Sequence, residues 1–181
     1  KVILEILEEK KIPYIEEPGE AAFYGPKMDF KVKDSIGRKW QLSTIQFDFN
    51  LPERFDLSFK NAQGEDERPF IIHRALLGSL ERFMSILIEH YAGAFPLWLA
   101  PVQVRVLPIA DAHKEHAQNV LEKLKNDGIR AELNDDAETL GKKIRECKIE
   151  KIPYFLVIGD QEVVNKTVTV ESRDRGNEGA L

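Results

Sequence analysis

A change in residue patterning near the middle of the chain limits its possible folds more than any other feature. Up to the segment 92–96 (AGAFP), stretches that alternate apolar and polar residues follow one another closely, as in antiparallel hairpins. Beyond this segment, apolar strand-like runs alternate with helical patterns of roughly 10–15 residues, which is typical of βαβ units and a mixed sheet. We therefore expect two domains, an α+β domain over 1–99 and a mixed-sheet α/β domain over 100–181.

Composition excludes several classes of protein. Of the 181 residues, 43% are hydrophobic and 31% charged, as in an ordinary globular protein. The single cysteine, Cys147, excludes an internal disulfide framework and favours the reducing cytoplasm. No apolar run approaches the ~20 residues that span a bilayer, so we expect no membrane association. The net charge of −5 means that any contact with nucleic acid needs a local basic patch.

In the first half, the patterns predict an antiparallel hairpin packed with helices. Alternation over 28–34 and 39–49, around the turn SIGR, predicts the two strands of this hairpin. On the second strand, Gln41 and Gln46 fall on opposite faces, so both can line one pocket only if a bulge intervenes. The remaining predicted elements are helices over 1–11 and 76–91 and a strand over 69–73.

In the second half, strands and helices alternate. We predict strands over 102–109, 129–133, 154–159 and 167–172, and helices over 113–126 and 138–150. The chain itself opens inside a helical pattern with no initiator Met, which we interpret as the start of a fragment.

Three histidines are candidates for chemistry. His73 ends the strand FII, where a hydrogen-bonded core histidine and a zinc ligand are both open alternatives. His113 and His116 could bind a metal as a pair, but their charged helix favours solvated side chains. Neither pattern completes a metal site locally.

Basic residues offer two possible ligand contacts. Arg82 either pairs with Glu81 or Glu89 on the surface, or faces a cleft at Gly78 and Ser79 that admits a flat ligand such as a base. On a later helix, a sector of three cations could touch phosphates or simply be solvated. Its members are Lys142, Arg145 and Lys148.

Three long stretches of the chain resemble the threonyl-tRNA synthetase family of class II aminoacyl-tRNA synthetases. They are EEPGEAAFYGPKMDF (16–30), WQLSTIQFDFNLP (40–52), and the run from FIIHRALLGSLERF (70–83) through LAPVQV (99–104), which is similar to motif 3 and the link to the anticodon-binding domain. The resemblance covers essentially the whole chain, in order. It implies a partial class II antiparallel sheet followed by an anticodon-binding domain.

The resemblance also implies an activity and its partners. The family forms threonyl-adenylate from threonine and ATP with Mg²⁺, transfers threonine to threonine tRNA, and is a homodimer. A zinc ion held by one cysteine and two histidines selects threonine over the isosteric valine, which an apolar pocket rejects poorly.

By the same resemblance, individual residues acquire expected roles. His73 matches a zinc ligand. Arg82, the expected catalytic residue, matches the motif 3 arginine that stacks on the ATP adenine and helps hold its phosphates. The other expected substrate or ATP contacts are Tyr24, Lys27, Gln41, Gln46 and Ser79. Expected tRNA contacts are Glu162, Lys142 and Arg145.

Departures from the family temper these expectations. Motifs 1 and 2 and two zinc ligands have no counterpart in the chain, so we expect it to be inactive alone and to hold zinc weakly. Glu171 stands where the family often has an arginine that reads an anticodon base, and a carboxylate repels phosphate there. The leading alternative is a non-catalytic tRNA-binding or regulatory paralogue. An unrelated nucleotide-binding α/β protein is a third possibility.

Overall fold

The computed structural model describes residues 2–181, which divide into two compact units between Leu87 and Ile88. The sequence places the domain boundary later, near residue 100, and that boundary stays a prediction. Up to residue 91 the elements are α1 (Val2–Glu9), β1 (Lys27–Lys33), β2 (Lys39–Asp48), α2 (Asn50–Arg54), β3 (Phe59–Lys60), β4 (Asp66–Glu67), β5 (Ile71–Ala75) and α3 (Leu80–Tyr91).

The predicted hairpin forms the centre of the first unit. Strands β1, β2 and β5 make an antiparallel sheet in that order, with β2 in the middle. The turn between β1 and β2 is closed by Asp34, whose carboxylate accepts hydrogen bonds from the Ile36 and Arg38 backbone N–H groups and from Trp40 Nε1. Burial alone raises the pKa of Asp34, but the hydrogen bonds from Trp40 and Arg38 outweigh it and hold this pKa well below its usual range.

A β-bulge interrupts the hairpin next to Leu42. Phe30 pairs with Ser43, but the next residue, Lys31, pairs with Gln41, so β2 carries one extra residue at this point. An extra residue reverses the alternation of side chains along the strand. Gln41 consequently shares a face with Thr44, to whose hydroxyl its amide donates at 3.1 Å.

Residues 76–79 are not helical, although the apolar spacing predicted a helix from residue 76. The backbone at Gly78 has φ +69°, and a Cβ there would lie 2.8 Å from the Leu42 carbonyl oxygen. The Ser43 hydroxyl donates to the Leu76 carbonyl. This loop therefore crosses β2 beside the bulge, and α3 begins only at Leu80.

The second unit contains β6 (Val104–Pro108), a 3₁₀ turn (Asp111–His113), α4 (Lys114–Asn126), β7 (Ala131–Leu133), α5 (Leu140–Ile149), β8 (Tyr154–Ile158), α6 (Asp160–Asn165), β9 (Thr169–Ser172) and β10 (Gly176–Ala180). The sheet order is β10-β9-β8-β6-β7, with β6 parallel to both β7 and β8 and with β9 and β10 antiparallel. The expectation of a mixed sheet is thus confirmed.

Helices cover both faces of this mixed sheet. On one face, Ala117 and Leu121 of α4 pack against Val106 and Ile158. On the other, Cys147 of α5 packs against a cluster that includes Leu107 and Phe155. Strand β8 (YFLVI) is accordingly a continuous apolar run, whereas β6 carries the buried Arg105, which pairs with Glu132 and Glu150. No helix within residues 2–181 combines the length and apolarity needed to cross a membrane.

Candidate substrate pocket

The first unit contains an open, polar pocket of about 620 Å³ beside β2. It is lined by Glu20, Ala22, Tyr24, Lys27, Gln41, Thr44, Gln46, His73, Arg74 and Ala75. Five of these match residues whose site roles the sequence predicted, namely Tyr24, Lys27, Gln41, Gln46 and His73. The structure brings these five side chains to one pocket, and their individual roles stay predictions.

Strand register explains how distant residues meet in the pocket. Gln46 in the central strand pairs with Lys27 of β1 on one side and with His73 of β5 on the other. Directly paired residues of an antiparallel sheet project to the same face. The bulge at Leu42 then adds Gln41 to that face, so Gln41 and Gln46 line the same pocket although regular alternation would separate them.

His73 is held by a buried carboxylate. Its Nε2 lies 2.8 Å from Asp48 Oδ2, while Asp48 Oδ1 accepts the backbone N–H groups of Asn50 and Leu51. Burial raises the pKa of Asp48, but the bonds from His73 and the two N–H groups outweigh it, so the pKa lies below its ordinary value. Asp48 is thus a residue of the site that sequence reasoning missed, although its strand parity with Gln46 could have indicated it.

A second carboxylate, Asp29, organises the opposite side of the pocket. It accepts hydrogen bonds from the Thr44 hydroxyl at 2.7 Å and the Gln41 amide at 2.6 Å, and it pairs with Lys27 Nζ at 2.9 Å. Burial raises the pKa of Asp29, but the bonds from Thr44 and Lys27 outweigh it, so this pKa lies below its ordinary value. The bond to Asp29 in turn raises the pKa of Lys27. Asp29 and Thr44 were missed because each is an ordinary strand residue, yet they pair directly across the hairpin.

Tyr24 closes the end of the pocket near the histidine. Its hydroxyl donates to Gln46 Oε1 at 2.9 Å, and its ring meets the His73 ring edge-on at 6.0 Å between centroids. Gly25 allows this placement, because a Cβ there would lie 1.9 Å from the Phe47 carbonyl oxygen. The glycine thus lets the 22–26 turn lie directly against the end of β2.

Arg82 and Ser79 lie outside the pocket lining, at the start of α3. The Arg82 guanidinium donates to the Gln41 carbonyl at 3.2 Å, and the Arg82 backbone N–H donates to the Ser79 hydroxyl. Both residues are exposed. Arg82 is therefore anchored at the bulge beside the pocket.

In the second unit, two of the three predicted tRNA contacts, Glu162 and Lys142, have intramolecular partners. Glu162 accepts the Gly159 N–H at 2.9 Å and the Thr169 hydroxyl at 2.7 Å, bonds that lower its pKa. Lys142 bonds to Glu138, which raises the lysine pKa, while Arg145 is exposed. The three cations of this sector, Lys142, Arg145 and Lys148, are all exposed.

The expectation that His113 and His116 are solvated was wrong. His113 is buried, with Nδ1 accepting the Ala110 N–H at 3.1 Å and Nε2 lying 2.9 Å from Asp160. The partly buried His116 bonds through Nε2 to the Thr167 carbonyl. The His113 ring caps local backbone, whereas the His116 ring bonds to a carbonyl 51 positions away. Across residues 2–181, no group of three or more His, Cys, Asp and Glu side chains could hold a metal ion.

Comparison with known proteins accounts for both units. The family "tRNA synthetase class II core domain (G, H, P, S and T)" matches residues 1–91, and the family "Anticodon binding domain" matches 103–181. Threonine–tRNA ligase of Carboxydothermus hydrogenoformans is 53% identical over 175 residues, covering 97% of this chain and 28% of the relative. That of Deinococcus deserti is 55% identical over 177 residues, 98% of this chain and 27% of the relative.

Solved structures agree with these relatives. The RNA binding domain of threonyl-tRNA synthetase from Cryptosporidium parvum matches with a TM-score of 0.92 and 40% identity, over 99% of this chain and 46% of that one. Prolyl-tRNA synthetase of the same organism, at 20% identity and a TM-score of 0.66, shares the fold over 92% of this chain and 38% of its own. The chain spans little more than a quarter of the length of these curated relatives.

Proposed function

The chain belongs to the class II tRNA synthetase core family, and we propose that it forms part of a threonine–tRNA ligase. The observation that carries the proposal is the pocket on β2, where a histidine, a tyrosine, a lysine and two glutamines converge on one face. The names of the relatives support threonine as the amino acid. We place the reaction in the cytoplasm and expect the active protein to be a homodimer.

The proposed reaction has two steps. A threonine carboxylate oxygen attacks the α-phosphorus of ATP, forming threonyl-adenylate and releasing pyrophosphate. A hydroxyl of the tRNA's terminal adenosine then attacks the threonyl carbonyl and releases AMP. Positive charge that offsets the developing negative charge on phosphate accelerates the first step, and Mg²⁺ bound with ATP would contribute to it.

Within this site we assign the threonyl end to the pocket residues near His73. The Tyr24 hydroxyl and the Gln46 amide, already bonded to each other, would orient the amino acid. Lys27, held by Asp29, would present its ammonium towards the adenylate. Gln41 joins this group because the bulge places it on the same face.

We assign the nucleotide to the surface at the start of α3. Arg82 is anchored by its bond to the Gln41 carbonyl, so its planar guanidinium can remain in one orientation while a base stacks on it. Ser79 lies one helical turn away and offers a hydroxyl to the same ligand. Gly78 holds this segment against β2, because a Cβ there would lie 2.8 Å from the Leu42 carbonyl oxygen.

His73 is suited to be one ligand of a zinc site. Its Nε2 is engaged by Asp48, whereas its Nδ1 makes no hydrogen bond within the described residues and the ring borders the pocket. Zinc, when bound, would supply a Lewis acid that accepts a hydroxyl ligand and so distinguishes threonine from valine. The described chain offers this one ligand, and a complete site would need others from outside it.

For the second unit we propose tRNA anticodon binding. The match to the anticodon-binding family supports this assignment. The three cations of the predicted sector are all exposed, and Lys142 would have to leave Glu138 to reach a phosphate. Glu162, fixed by two hydrogen bonds, presents a rigid acceptor for a base.

A chimera tests the proposed function. The aligned segment of the Carboxydothermus hydrogenoformans ligase is replaced by this chain, and amino-acid-dependent ATP–pyrophosphate exchange is measured. We expect exchange with threonine but not with proline or valine, and its loss in a His73→Ala chimera. A chimera that folds and binds tRNA without any exchange would instead favour the non-catalytic paralogue.

A further inference from the structure

The pairing of His73 with Asp48 fixes more than the position of a ring. We propose that Asp48 is a positioning residue that holds His73 in one tautomer, with Nε2 protonated and the Nδ1 lone pair presented to the pocket for a divalent metal. The identity of the metal rests on the proposed function, but the tautomer does not.

The tautomer follows from donor and acceptor chemistry. An ionised carboxylate can only accept hydrogen bonds, so at 2.8 Å from Asp48 Oδ2 the His73 Nε2 must carry a proton. A neutral imidazole carries one such proton, which leaves Nδ1 as the acceptor. Metal-binding histidines commonly donate their other N–H to a carboxylate in this way.

The carboxylate itself is immobile. Asp48 is completely buried, and Oδ1 accepts the N–H groups of Asn50 and Leu51 at 2.9 and 3.0 Å. With Oδ1 engaged at the start of α2, only Oδ2 is directed at the histidine. The end of β2 and the start of α2 therefore determine the direction of the imidazole.

The space around Nδ1 is open on the pocket side. Tyr24 meets the ring edge-on, and its hydroxyl is bonded to Gln46 rather than to the imidazole. Within residues 2–181, Nδ1 has no hydrogen-bond partner, while 44% of the His73 side chain is exposed. A purely structural pair would connect the two strands equally well but would need no accessible second nitrogen.

A second carboxylate–histidine pair in the chain provides an internal comparison. His113 Nε2 lies 2.9 Å from Asp160, but its Nδ1 accepts the Ala110 N–H, so both ring nitrogens are occupied. This pair is closed to a metal, and its tautomer does not depend on Asp160 alone. Asp160→Asn is consequently a matched control for Asp48→Asn.

Nitrogen-15 NMR of the chain, in mildly alkaline buffer where imidazole is neutral, reads the tautomer directly. We expect His73 to be protonated at Nε2 in the unmodified chain. In Asp48→Asn the amide directs its NH₂ group at Nε2, so the proton should move to Nδ1, whereas His113 should keep its tautomer in Asp160→Asn. A proton on Nδ1 in the unmodified chain overturns the proposal, and this measurement needs no variant.

Titration with Zn²⁺ alone supplies the second measurement. We expect the His73 signals to respond at lower Zn²⁺ concentration than those of His113, and Asp48→Asn to raise the midpoint for His73 by about 10-fold or more. An equal midpoint in a folded Asp48→Asn chain would overturn the role of Asp48. If the chimera lacks threonine-dependent exchange while the tautomer is as expected, the proposed function fails and the positioning role of Asp48 stands.

Discussion

Replacing Asp29 by asparagine should destabilise the first unit by about 2 kcal/mol at neutral pH. Asp29 is the common acceptor for Lys27, Thr44 and Gln41. A fully exposed ion pair contributes roughly 0–1 kcal/mol, but here only 28% of the Lys27 side chain and 12% of the Asp29 side chain are exposed. Asparagine also turns two charge-assisted bonds into neutral ones of about half the strength.

The effect of Asp29→Asn should depend on pH in a defined direction. The pKa of Asp29 in the folded chain is lower than its ordinary value, so its stabilisation is complete above the unfolded pKa of about 3.9. It is lost as the pH falls through the lower folded pKa, where the carboxyl group is protonated in both states. The difference between the two chains should therefore shrink in acid.

Urea unfolding followed by Trp40 fluorescence measures this difference. A Trp98→Phe background removes the other tryptophan, which lies in the second unit. Asp66→Asn is the matched control, because its pair with Lys60 is about two-thirds exposed on both sides and should change stability by less than about 1 kcal/mol. A difference for Asp29→Asn that persists undiminished in acid, or that equals the control, would refute the reasoning.

Three further predictions concern backbone, thiol and tRNA. Gly78→Ala should cost about 1–2 kcal/mol more than Gly37→Ala in urea unfolding, because both glycines have positive φ but only the first would place a Cβ against a neighbouring carbonyl; equal losses would contradict the close approach. Cys147 is buried, and burial raises its pKa above the ordinary value, so an aromatic disulfide reagent should react slowly with the folded chain and at once in urea; rapid native labelling would show that α5 is not packed as described. Glu171→Arg should strengthen binding of threonine tRNA in filter assays at fixed salt more than Glu115→Arg does, and an equal gain would argue against a specific anticodon contact at that position.

Regular patterns in the sequence predicted regular structure. Alternation identified β1 and β2 to within a residue or two, and the strand–helix alternation identified the mixed sheet. The predictions failed where the backbone departs from a regular period. Apolar spacing predicted that α3 begins at residue 76, whereas it begins at Leu80. The spacing of apolar residues gives no information about the positive φ of Gly78.

The sequence also did not predict which distant residues become the hydrogen-bond partners of a side chain. His113 lies among charged residues and was expected in solvent, yet its ring is buried against the backbone of Ala110 and beside Asp160, which is 47 positions away. Asp48 and Asp29 were overlooked for a related reason. The role of a carboxylate on a strand depends on which side chains the fold brings within hydrogen-bond distance of it. Long-range pairing of this kind is not encoded in local spacing.

The bulge at Leu42 is both an irregularity of the backbone and the reason that distant side chains meet in the pocket. In an unbulged strand of the same sequence, Gln41 would project from the face opposite Thr44 and Gln46, and Asp29 would lose one of its three partners. The same irregularity turns the Gln41 carbonyl towards the Arg82 guanidinium, while Gly78 packs on Leu42 itself. One inserted residue thus joins the proposed amino-acid end of the site, organised by Asp29 and Asp48, to its proposed nucleotide end at α3.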